Sequence, residues 1–436
     1  MRRFKLVWLA LGVVGLTLGL AACGGDDDGD GGGGETTLDL TVGDSLPLSG
    51  DLADFGPPGD KAAQIAVEEV INPAIEEAGS DHTVNLVTED NETNPQAAVQ
   101  AARKMIETDD ASCIAGAWAS ADTIPTFESV TSREGVLQIS PASTSDEITG
   151  LDDPDGLMNR TSPPDSFQGP TLADYMEDEL GGAEGVTVNV GARNDAYGTG
   201  LADTFGAAWE EKGGTIGEEV VYDPEQPSYD SEAGQITSGN PDAFVIIDFP
   251  ETYNKMGPAL VRTGDFDATQ AFMTDGLASS DLPADAGEEA TEGARGTAPG
   301  APDKDDPSAA FDKLYLDSKI EPDVERQTFD AQNFDAVILC YLAAVAAGST
   351  DGTDMAAEVR DISGPPGDTY SWEQLSDAIT AVQDGDDINY VGAAGELDLD
   401  EAGDATAGVY DIYEYKGGAI EIIDELPVAA KVEEEE

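Results

Sequence analysis

The chain has 436 residues, of which 90 are Asp or Glu and only 20 are Lys or Arg, so its formal net charge is −70. This length is enough for two or three domains with hydrophobic cores. The charge excludes a nucleic-acid partner, because phosphate contacts require patches of Lys and Arg. The single histidine, His82, excludes a metal site with two histidine ligands in one chain. We therefore expect no metal and no cofactor.

The N-terminus carries a targeting signal. A basic start precedes the uncharged apolar run 6–22, which has the length of a secretory signal rather than of a membrane span. The run ends in Leu20-Ala21-Ala22-Cys23, which resembles a bacterial lipobox. We predict that 1–22 is a lipoprotein signal peptide and that Cys23 is lipidated. The alternatives are an ordinary signal peptide or a retained anchor helix.

The acidic residues suggest where the protein works. Residues 23–36, rich in Gly and Asp, predict a flexible tether, and 431–436 form an acidic tail. No second apolar run of spanning length follows Cys23, so we expect an extracytoplasmic protein held on the cell membrane by lipid alone. So dense an acidic surface repels itself in dilute buffer, and multimolar salt removes that repulsion. We interpret this as adaptation to brine; the alternative is an acidic surface protein with no special salt requirement.

Strand and helix patterns alternate along the chain. The predicted strands are 38–42, 83–87, 113–116, 136–139, 186–190, 215–221, 244–247 and 271–273. The predicted helices are 57–78, 95–108, one ending near 132, 167–180, 198–212, 252–263, 308–319 and 328–347. Repeated strand–helix units predict parallel sheets with helices on both faces. Two such runs, joined at Pro163-Pro164, predict an α/β fold of two Rossmann-like lobes.

The sequence also predicts a linker, a β-hairpin and the state of two cysteines. The segment 281–308, rich in Pro, Gly, Ala and Asp, has the composition of a linker. Residues 395–415 alternate as in a β-hairpin with its turn at Gly403-Asp404. Cys113 and Cys340 lie in apolar patterns and are interpreted as buried, unpaired thiols, although a bridge between them remains open.

Several short motifs follow one another in the order of a known family. Together they resemble the extracellular solute-binding proteins of the branched-chain amino-acid type, which are the substrate receptors of ABC importers. Each motif is weak alone, but their order and spacing extend over almost the whole chain after Cys23. The motifs are Leu48-Ser49-Gly50, Phe55-Gly56, Glu89-Asp90-Asn91, Pro95-Gln96-Ala97, Gly116 to Ser120, Ser140 to Thr144, Asp195 to Gly198, Met273 to Gly276 and Gly392 to Gly403.

The resemblance implies the type I periplasmic binding fold, with two lobes joined by a three-segment hinge. We expect 37–162 and 296–390 to form one lobe, and 163–295 and 391–430 to form the other. It further implies a protein that is not an enzyme. Such a protein captures an amino acid or similar small solute between its lobes and delivers it to permease and ATPase subunits.

The residues expected to bind the ligand are chosen from the chemistry of an amino acid and from this resemblance. A free amino acid needs donors for its carboxylate and an acceptor for its ammonium. By resemblance, the Ser120 and Thr144 hydroxyls and the Ala142 backbone hold these groups from the first lobe, and Asp275 binds the ammonium from the second. Tyr197 then faces the ligand. Two aromatic residues shape its side-chain pocket, namely Phe55 and Trp118.

Each of these assignments has an alternative. Ser120 and Thr144 are also good helix N-caps, Asp275 is one of 90 acidic residues, and Trp118 suits an ordinary core. For the whole protein, the alternatives are a sensory ligand-binding subunit with the same fold and a receptor for an amide, urea or another solute. A secreted enzyme is disfavoured because the chain lacks a G-x-S-x-G motif, a P-loop and a His-rich metal motif.

Overall fold

The computed structural model describes residues 37–302 and 306–429. The predicted signal peptide 1–22, the tether 23–36 with its lipidation site Cys23, and the tail 431–436 lie outside these residues. Among the described helices, none is by itself both long and apolar enough to cross a membrane. One bent pair, Asp330–Ala347 with Gly352–Glu358, passes that test jointly, and its first helix is buried in the core described below.

The described residues form fifteen strands. These are β1 Leu38–Leu46, β2 His82–Asp90, β3 Cys113–Ala115, β4 Leu137–Ser140, β5 Met158–Arg160, β6 Thr187–Arg193, β7 Thr215–Tyr222, β8 Ala243–Ile247, β9 Ala271–Met273, β10 Arg295–Pro299, β11 Asp368–Ser371, β12 Ile388–Gly392, β13 Gly395–Glu396, β14 Ala407–Lys416 and β15 Ala419–Ala429. All eight predicted strands correspond to one of them. Strand β8 is buried along its whole length because helices cover both faces of the sheet.

Sixteen α-helices connect the described strands. These are α1 Gly56–Ile65, α2 Asn72–Ala78, α3 Pro95–Asp109, α4 Ser120–Thr126, α5 Ser132–Glu134, α6 Asp146–Thr149, α7 Asp165–Leu180, α8 Ala196–Glu211, α9 Asp230–Ile236, α10 Pro250–Thr263, α11 Leu282–Ala286, α12 Glu288–Thr291, α13 Asp306–Asp317, α14 Asp330–Ala347, α15 Gly352–Glu358 and α16 Leu375–Asp384. A short π-helical segment, Ala66–Ile71, joins α1 to α2, and the three together form the long helix that the sequence predicts. Helix α3 begins where expected because Asn94 caps it ahead of Pro95.

Two sheets define two lobes. Lobe 1 contains the five-stranded parallel sheet with strand order β2-β1-β3-β4-β5 and the helices packed on it, among them the buried α14. Lobe 2 contains the seven-stranded sheet with order β15-β14-β10-β9-β8-β6-β7. Its strands from β7 to β10 are parallel, whereas β14 and β15 are antiparallel. The predicted fold of two Rossmann-like lobes is confirmed.

The apolar side chains divide into cores with different roles. One large cluster fills lobe 1 around α14, and another fills one face of the lobe 2 sheet. A third cluster contains residues of both lobes, including Phe55 and Trp118 of lobe 1 and Tyr197 and Phe249 of lobe 2. Most of this cluster is the core on the other face of the lobe 2 sheet, under α7 and α8, and it continues to the side chains of lobe 1 at the place where the two lobes meet.

Two local predictions are wrong. The predicted linker 281–308 contains α11, α12 and β10, because its Ala and Leu residues are buried against lobe 2. The predicted hairpin across Gly403-Asp404 has the wrong strand pairing: a turn is present there, closed by an antiparallel bridge between Leu399 and Ala405, but β14 pairs with β15 across Gly417 and Gly418. Asp404 does not sit in a solvated turn, because its carboxylate accepts a 2.6 Å hydrogen bond from Arg160 Nε, which is fully buried.

The expected lobe boundaries can be compared with the sheets. The boundary at residue 296 falls within β10, which belongs to the lobe 2 sheet through Pro299. The boundary at residue 391 falls within β12, which pairs with β11 and β13 in a small sheet. Ile388 and Tyr390 of that strand pack in the lobe 1 core. The other boundaries stay predictions.

A disulfide joins two cysteines of lobe 1. Cys113 of β3 and Cys340 of α14 are bonded, with their Cα atoms 5.9 Å apart. The interpretation as unpaired thiols is therefore wrong, and the alternative that the sequence left open is correct. The bond lies between the sheet and its central helix, where both residues are fully buried.

Candidate functional site

A narrow cavity lies between the lobes, beyond the carboxyl ends of strands from both sheets. This is where open α/β sheets place ligand sites. Its volume is about 10 Å³, which holds about one water molecule, so a larger solute requires the walls to separate. The lining residues are Leu52, Phe55, Trp118, Ala119, Ser120, Ala142, Tyr197, Phe249, Asp275, Gly276 and Phe329.

Ser120 and Ala142 form the polar part of the lobe 1 wall. Ser120 opens α4 just after β3 ends, and its hydroxyl oxygen accepts a 3.2 Å hydrogen bond from the Ser145 backbone N–H. This bond fixes the hydroxyl and leaves its proton free to be donated elsewhere. Ala142, in the loop after β4, exposes backbone and a methyl group to the cavity. Small residues here let a solute approach the main chain closely.

Thr144 lies behind this wall and does not line the cavity. Its hydroxyl is fully buried and lies against the Asp165 carboxyl without a well-directed hydrogen bond. The contact of Thr144 with a solute therefore stays a prediction.

Tyr197 and Asp275 form the polar part of the lobe 2 wall. The Tyr197 hydroxyl lies 2.8 Å from Asp275 Oδ1, to which it donates, and accepts a 3.1 Å hydrogen bond from the Gly276 N–H. Burial raises the pKa of Asp275 from 3.8 to about 6, although hydrogen bonds from Tyr197 and its neighbours oppose the shift. At neutral pH this carboxyl is therefore mainly ionised and presents a buried negative charge.

Aromatic rings close the remaining sides. Phe329 packs edge-to-face against Phe55 and Trp118, with ring centroids 6.5 and 6.1 Å apart. Across the cavity, Tyr197 stacks on Phe249 with centroids 5.0 Å apart. Phe329 has a φ of 74°, a strained value for a bulky residue. The backbone thus holds this ring in place at the start of α14.

A second buried carboxyl lies near Asp275. Asp165 opens α7 directly after Pro163-Pro164 and is fully buried. Within 37–302 and 306–429, neither of its side-chain oxygens has a well-directed hydrogen bond. Burial raises its pKa well above the ordinary value, and the negative charge of Asp275 adds to the shift. Gln168, one turn further on, donates to the Thr297 carbonyl at 3.1 Å, while its own side-chain oxygen is unpartnered.

The structure therefore brings six of the seven sequence-predicted residues to one cavity, and Thr144 just behind it. The sequence analysis missed Leu52, Phe249 and Phe329 in the wall, and Asp165 near it. The apolar residues carried no distinguishing signal among many buried aromatics. Asp165 carried none either, because it is one of 90 acidic residues and only its burial distinguishes it from the others. Among the described residues, no group of three or more His, Cys, Asp or Glu side chains is arranged to hold a metal ion.

Comparisons with known proteins agree with this architecture. A family model described as periplasmic binding protein matches residues 39–381. The chain is 30% identical to Leu/Ile/Val-binding protein homolog 3 of Brucella melitensis over 88% of its own length and 93% of that protein. It is 26% identical to a chemotactic signal transduction system substrate-binding protein of Halobacterium salinarum, over 85% of each chain. A leucine-binding protein structure from Thermotoga maritima superposes with a TM-score of 0.73, 24% identity, and coverage of 89% and 98% of the two chains.

Proposed function

The chain belongs to the periplasmic binding protein family, and on that basis we propose that it is the solute-binding subunit of an ABC importer. It captures an amino acid between its lobes and delivers it to permease and ATPase subunits. The observation that carries the proposal is the interlobe cavity, in which the buried Asp275 carboxylate faces the neutral groups of Ser120 and Ala142. The names of the relatives favour branched-chain amino acids.

The charges of the cavity suit a zwitterion in one orientation. Asp275 supplies a buried negative charge for the ammonium, and the Tyr197 hydroxyl holds that carboxylate in place. The Ser120 hydroxyl, with backbone donors beside it, meets the carboxylate, and the predicted contact of Thr144 requires that residue to move out from behind the wall. The rings of Phe55, Trp118 and Phe329 then surround an apolar side chain.

We propose binding without catalysis. Ser120 accepts a backbone hydrogen bond and has no imidazole to activate it, since the only histidine in the chain is elsewhere. His82 begins β2 and lies 2.9 Å from the Tyr341 hydroxyl, among lobe 1 residues.

Solute capture requires the lobes to open, because the closed cavity holds about one water. We propose that the chain crosses between lobes three times and that these crossings form the hinge. Small-angle scattering measures this directly. A radius of gyration that decreases on adding solute supports closure, whereas identical curves at saturation contradict it.

The binding experiment uses calorimetry in high salt with L-leucine, L-isoleucine and L-valine, and with acetamide and urea as alternatives. Removing one partner of a desolvated ion pair typically costs about 3–5 kcal/mol. Asp275→Ala should therefore weaken binding of an amino acid by about two to four powers of ten. Ser120→Ala should lose less, about 1–3 kcal/mol, because backbone donors remain.

The matched control is Asp281→Ala, which removes an exposed acid a few residues further along the chain. It should bind as the parent does. If Asp275→Ala binds an amino acid as tightly as the parent, the ammonium assignment is wrong. If only an amide or urea binds the parent, the receptor role stands and the amino-acid assignment is replaced.

A sensory role is the second candidate, because the relative from Halobacterium salinarum is named as part of a chemotactic system. The same site serves either role. Neighbouring genes distinguish them: a permease and an ATPase favour import, and a kinase favours signalling.

We propose further that the protein is anchored outside the cytoplasm through lipid on Cys23. The Cys113–Cys340 disulfide supports an oxidising compartment. The mass of protein extracted from membranes should correspond to an acylated chain that begins at Cys23. Retention of residues 1–22 would contradict this proposal.

A further inference from the structure

One loop of lobe 1 is held by lobe 2. Asp51 lies between β1 and α1, and its carboxylate accepts hydrogen bonds from Arg193 Nη2 at 3.0 Å and from the Thr252 hydroxyl at 3.3 Å. Its carbonyl oxygen also accepts from the Glu251 N–H at 3.4 Å. Within the described part of the chain, every hydrogen bond of this side chain therefore goes to the opposite lobe.

The lobe 2 partner is a buried cation with acids of its own. The Arg193 side chain is 5% exposed, donates from Nε to Asp195, and has Nη1 3.7 Å from Asp248. Asp122 of lobe 1 is also buried close to it, with one carboxyl oxygen unpartnered. Acids of both lobes thus converge on one guanidinium, and separating the lobes removes the two from lobe 1, Asp51 and Asp122, from it.

Arg193 also contacts the cavity wall. Its guanidinium carbon lies 3.6 Å from the centroid of the Phe249 ring, and Tyr197 stacks on the same ring. Tyr197 donates to Asp275. A continuous set of contacts therefore runs from the lobe 1 loop to the carboxylate proposed to bind the solute.

From this arrangement we infer that Asp51 and Arg193 form a closure latch, in which Asp51 secures the closed lobes and Arg193 positions the Phe249–Tyr197 pair beside the solute. The inference rests on the proposed function for its solute-bound state, but the latch itself acts between lobes without a solute. Asp51 is 29% exposed, so salt screens the latch and its effect should decrease as ionic strength rises.

Asp51→Asn tests the latch, because it keeps the size of the side chain and an acceptor for Thr252 while removing the charge. Hydrogen bonds to charged groups are strong enough that we expect L-leucine to dissociate about tenfold faster, with little change in association. Stopped-flow tryptophan fluorescence measures both rates, since Trp118 lines the cavity. The difference from the parent should shrink between moderate and multimolar KCl.

The matched control is Asp90→Asn. Asp90 accepts a 2.7 Å hydrogen bond from the Ser49 hydroxyl, so it supports the same loop but lies within lobe 1. It should leave the L-leucine dissociation rate unchanged. Equal losses in both variants would show that loop stability, rather than the latch, controls dissociation, and would overturn the inference.

Scattering from solute-free protein separates this inference from the proposed function. The Asp51→Asn variant should have a larger radius of gyration than the parent because fewer molecules are closed. If no amino acid binds the parent, the proposed amino-acid assignment fails, and this radius alone decides the latch. If no amino acid binds, equal radii of gyration for the solute-free parent and variant overturn the latch. If L-leucine binds, the latch is overturned when both the radii and the L-leucine dissociation rates of parent and variant are equal.

Discussion

Replacing Asp275 by Asn should stabilise the solute-free protein while it abolishes amino-acid binding. The pKa of the buried Asp275 carboxyl is raised from 3.8 to about 6. Between these values the folded state binds more protons than the unfolded state, so the contribution of this group to stability falls as the pH rises. A shift of about two units corresponds to about 3 kcal/mol, which is fully expressed near pH 7.

Asn removes this penalty and keeps an oxygen that accepts from Tyr197. In urea titrations at constant salt without solute, the free energy of unfolding of Asp275→Asn should exceed that of the parent by about 3 kcal/mol at pH 7. Near pH 4 the parent carboxyl is protonated in the folded state, and the difference should fall well below 1 kcal/mol. An exposed control, Asp281→Asn, should differ little from the parent at either pH.

The pH dependence of the difference is the decisive result. Asp248, whose pKa is also raised, affects parent and variant alike and cancels in the comparison. Asp165 does not cancel, because the Asp275 charge raises its pKa; removing that charge adds to the stabilisation of the variant at neutral pH. A variant that is less stable than the parent at pH 7, or a difference that stays constant from pH 4 to pH 7, would refute the reasoning. Saturating solute should reverse the order, because it stabilises only the parent.

Three further predictions concern the rest of the molecule. Replacing Cys113 and Cys340 by Ala should lower the free energy of unfolding by up to about 5 kcal/mol, because the disulfide closes a loop of 227 residues. Urea titration measures this, and equal midpoints for the oxidised and the reduced parent would contradict it. Gly59→Ala should destabilise lobe 1 and weaken solute binding, since the new Cβ would lie 2.5 Å from Trp118 Cζ2 in the cavity wall; unchanged calorimetric affinity and melting temperature would show that the ring moves freely. The melting temperature should rise from dilute buffer to multimolar KCl because of the net charge of −70, and a flat profile would contradict adaptation to brine.

The sequence predicted the two-lobe fold well because its signals are local and repeated. Short apolar runs alternate with helices that have a clear start, as at Asn94-Pro95, and each such unit specifies a parallel strand pair. The motifs that follow β3, β4, β6 and β9 lie at strand ends, so a correct order of strands places them together. Six of the seven predicted ligand residues consequently line one cavity.

The failures share a physical cause, which is dependence on distant partners. Cys113 and Cys340 are 227 residues apart, and only the packing of α14 on the sheet brings them together. Asp404 follows a plausible turn glycine, yet its carboxylate is bound by the buried Arg160. Asp165 is one of 90 acidic residues, and only its burial distinguishes it from those on the surface.

Few basic residues are available to balance the buried carboxylates around the interlobe cavity. Around the interlobe cavity, Asp122, Asp165, Asp248 and Asp275 are buried with raised pKa values, and each raised value reports a carboxylate that the protein stabilises less well than water does. Arg193 is shared among several of them. If the solute is an amino acid, as proposed, its ammonium group supplies the positive charge that Asp275 lacks in the solute-free protein. Because the chain has 90 acidic and only 20 basic residues, the negative charge of Asp275 is left for the solute to balance. We therefore expect the bound solute itself to stabilise the closed state.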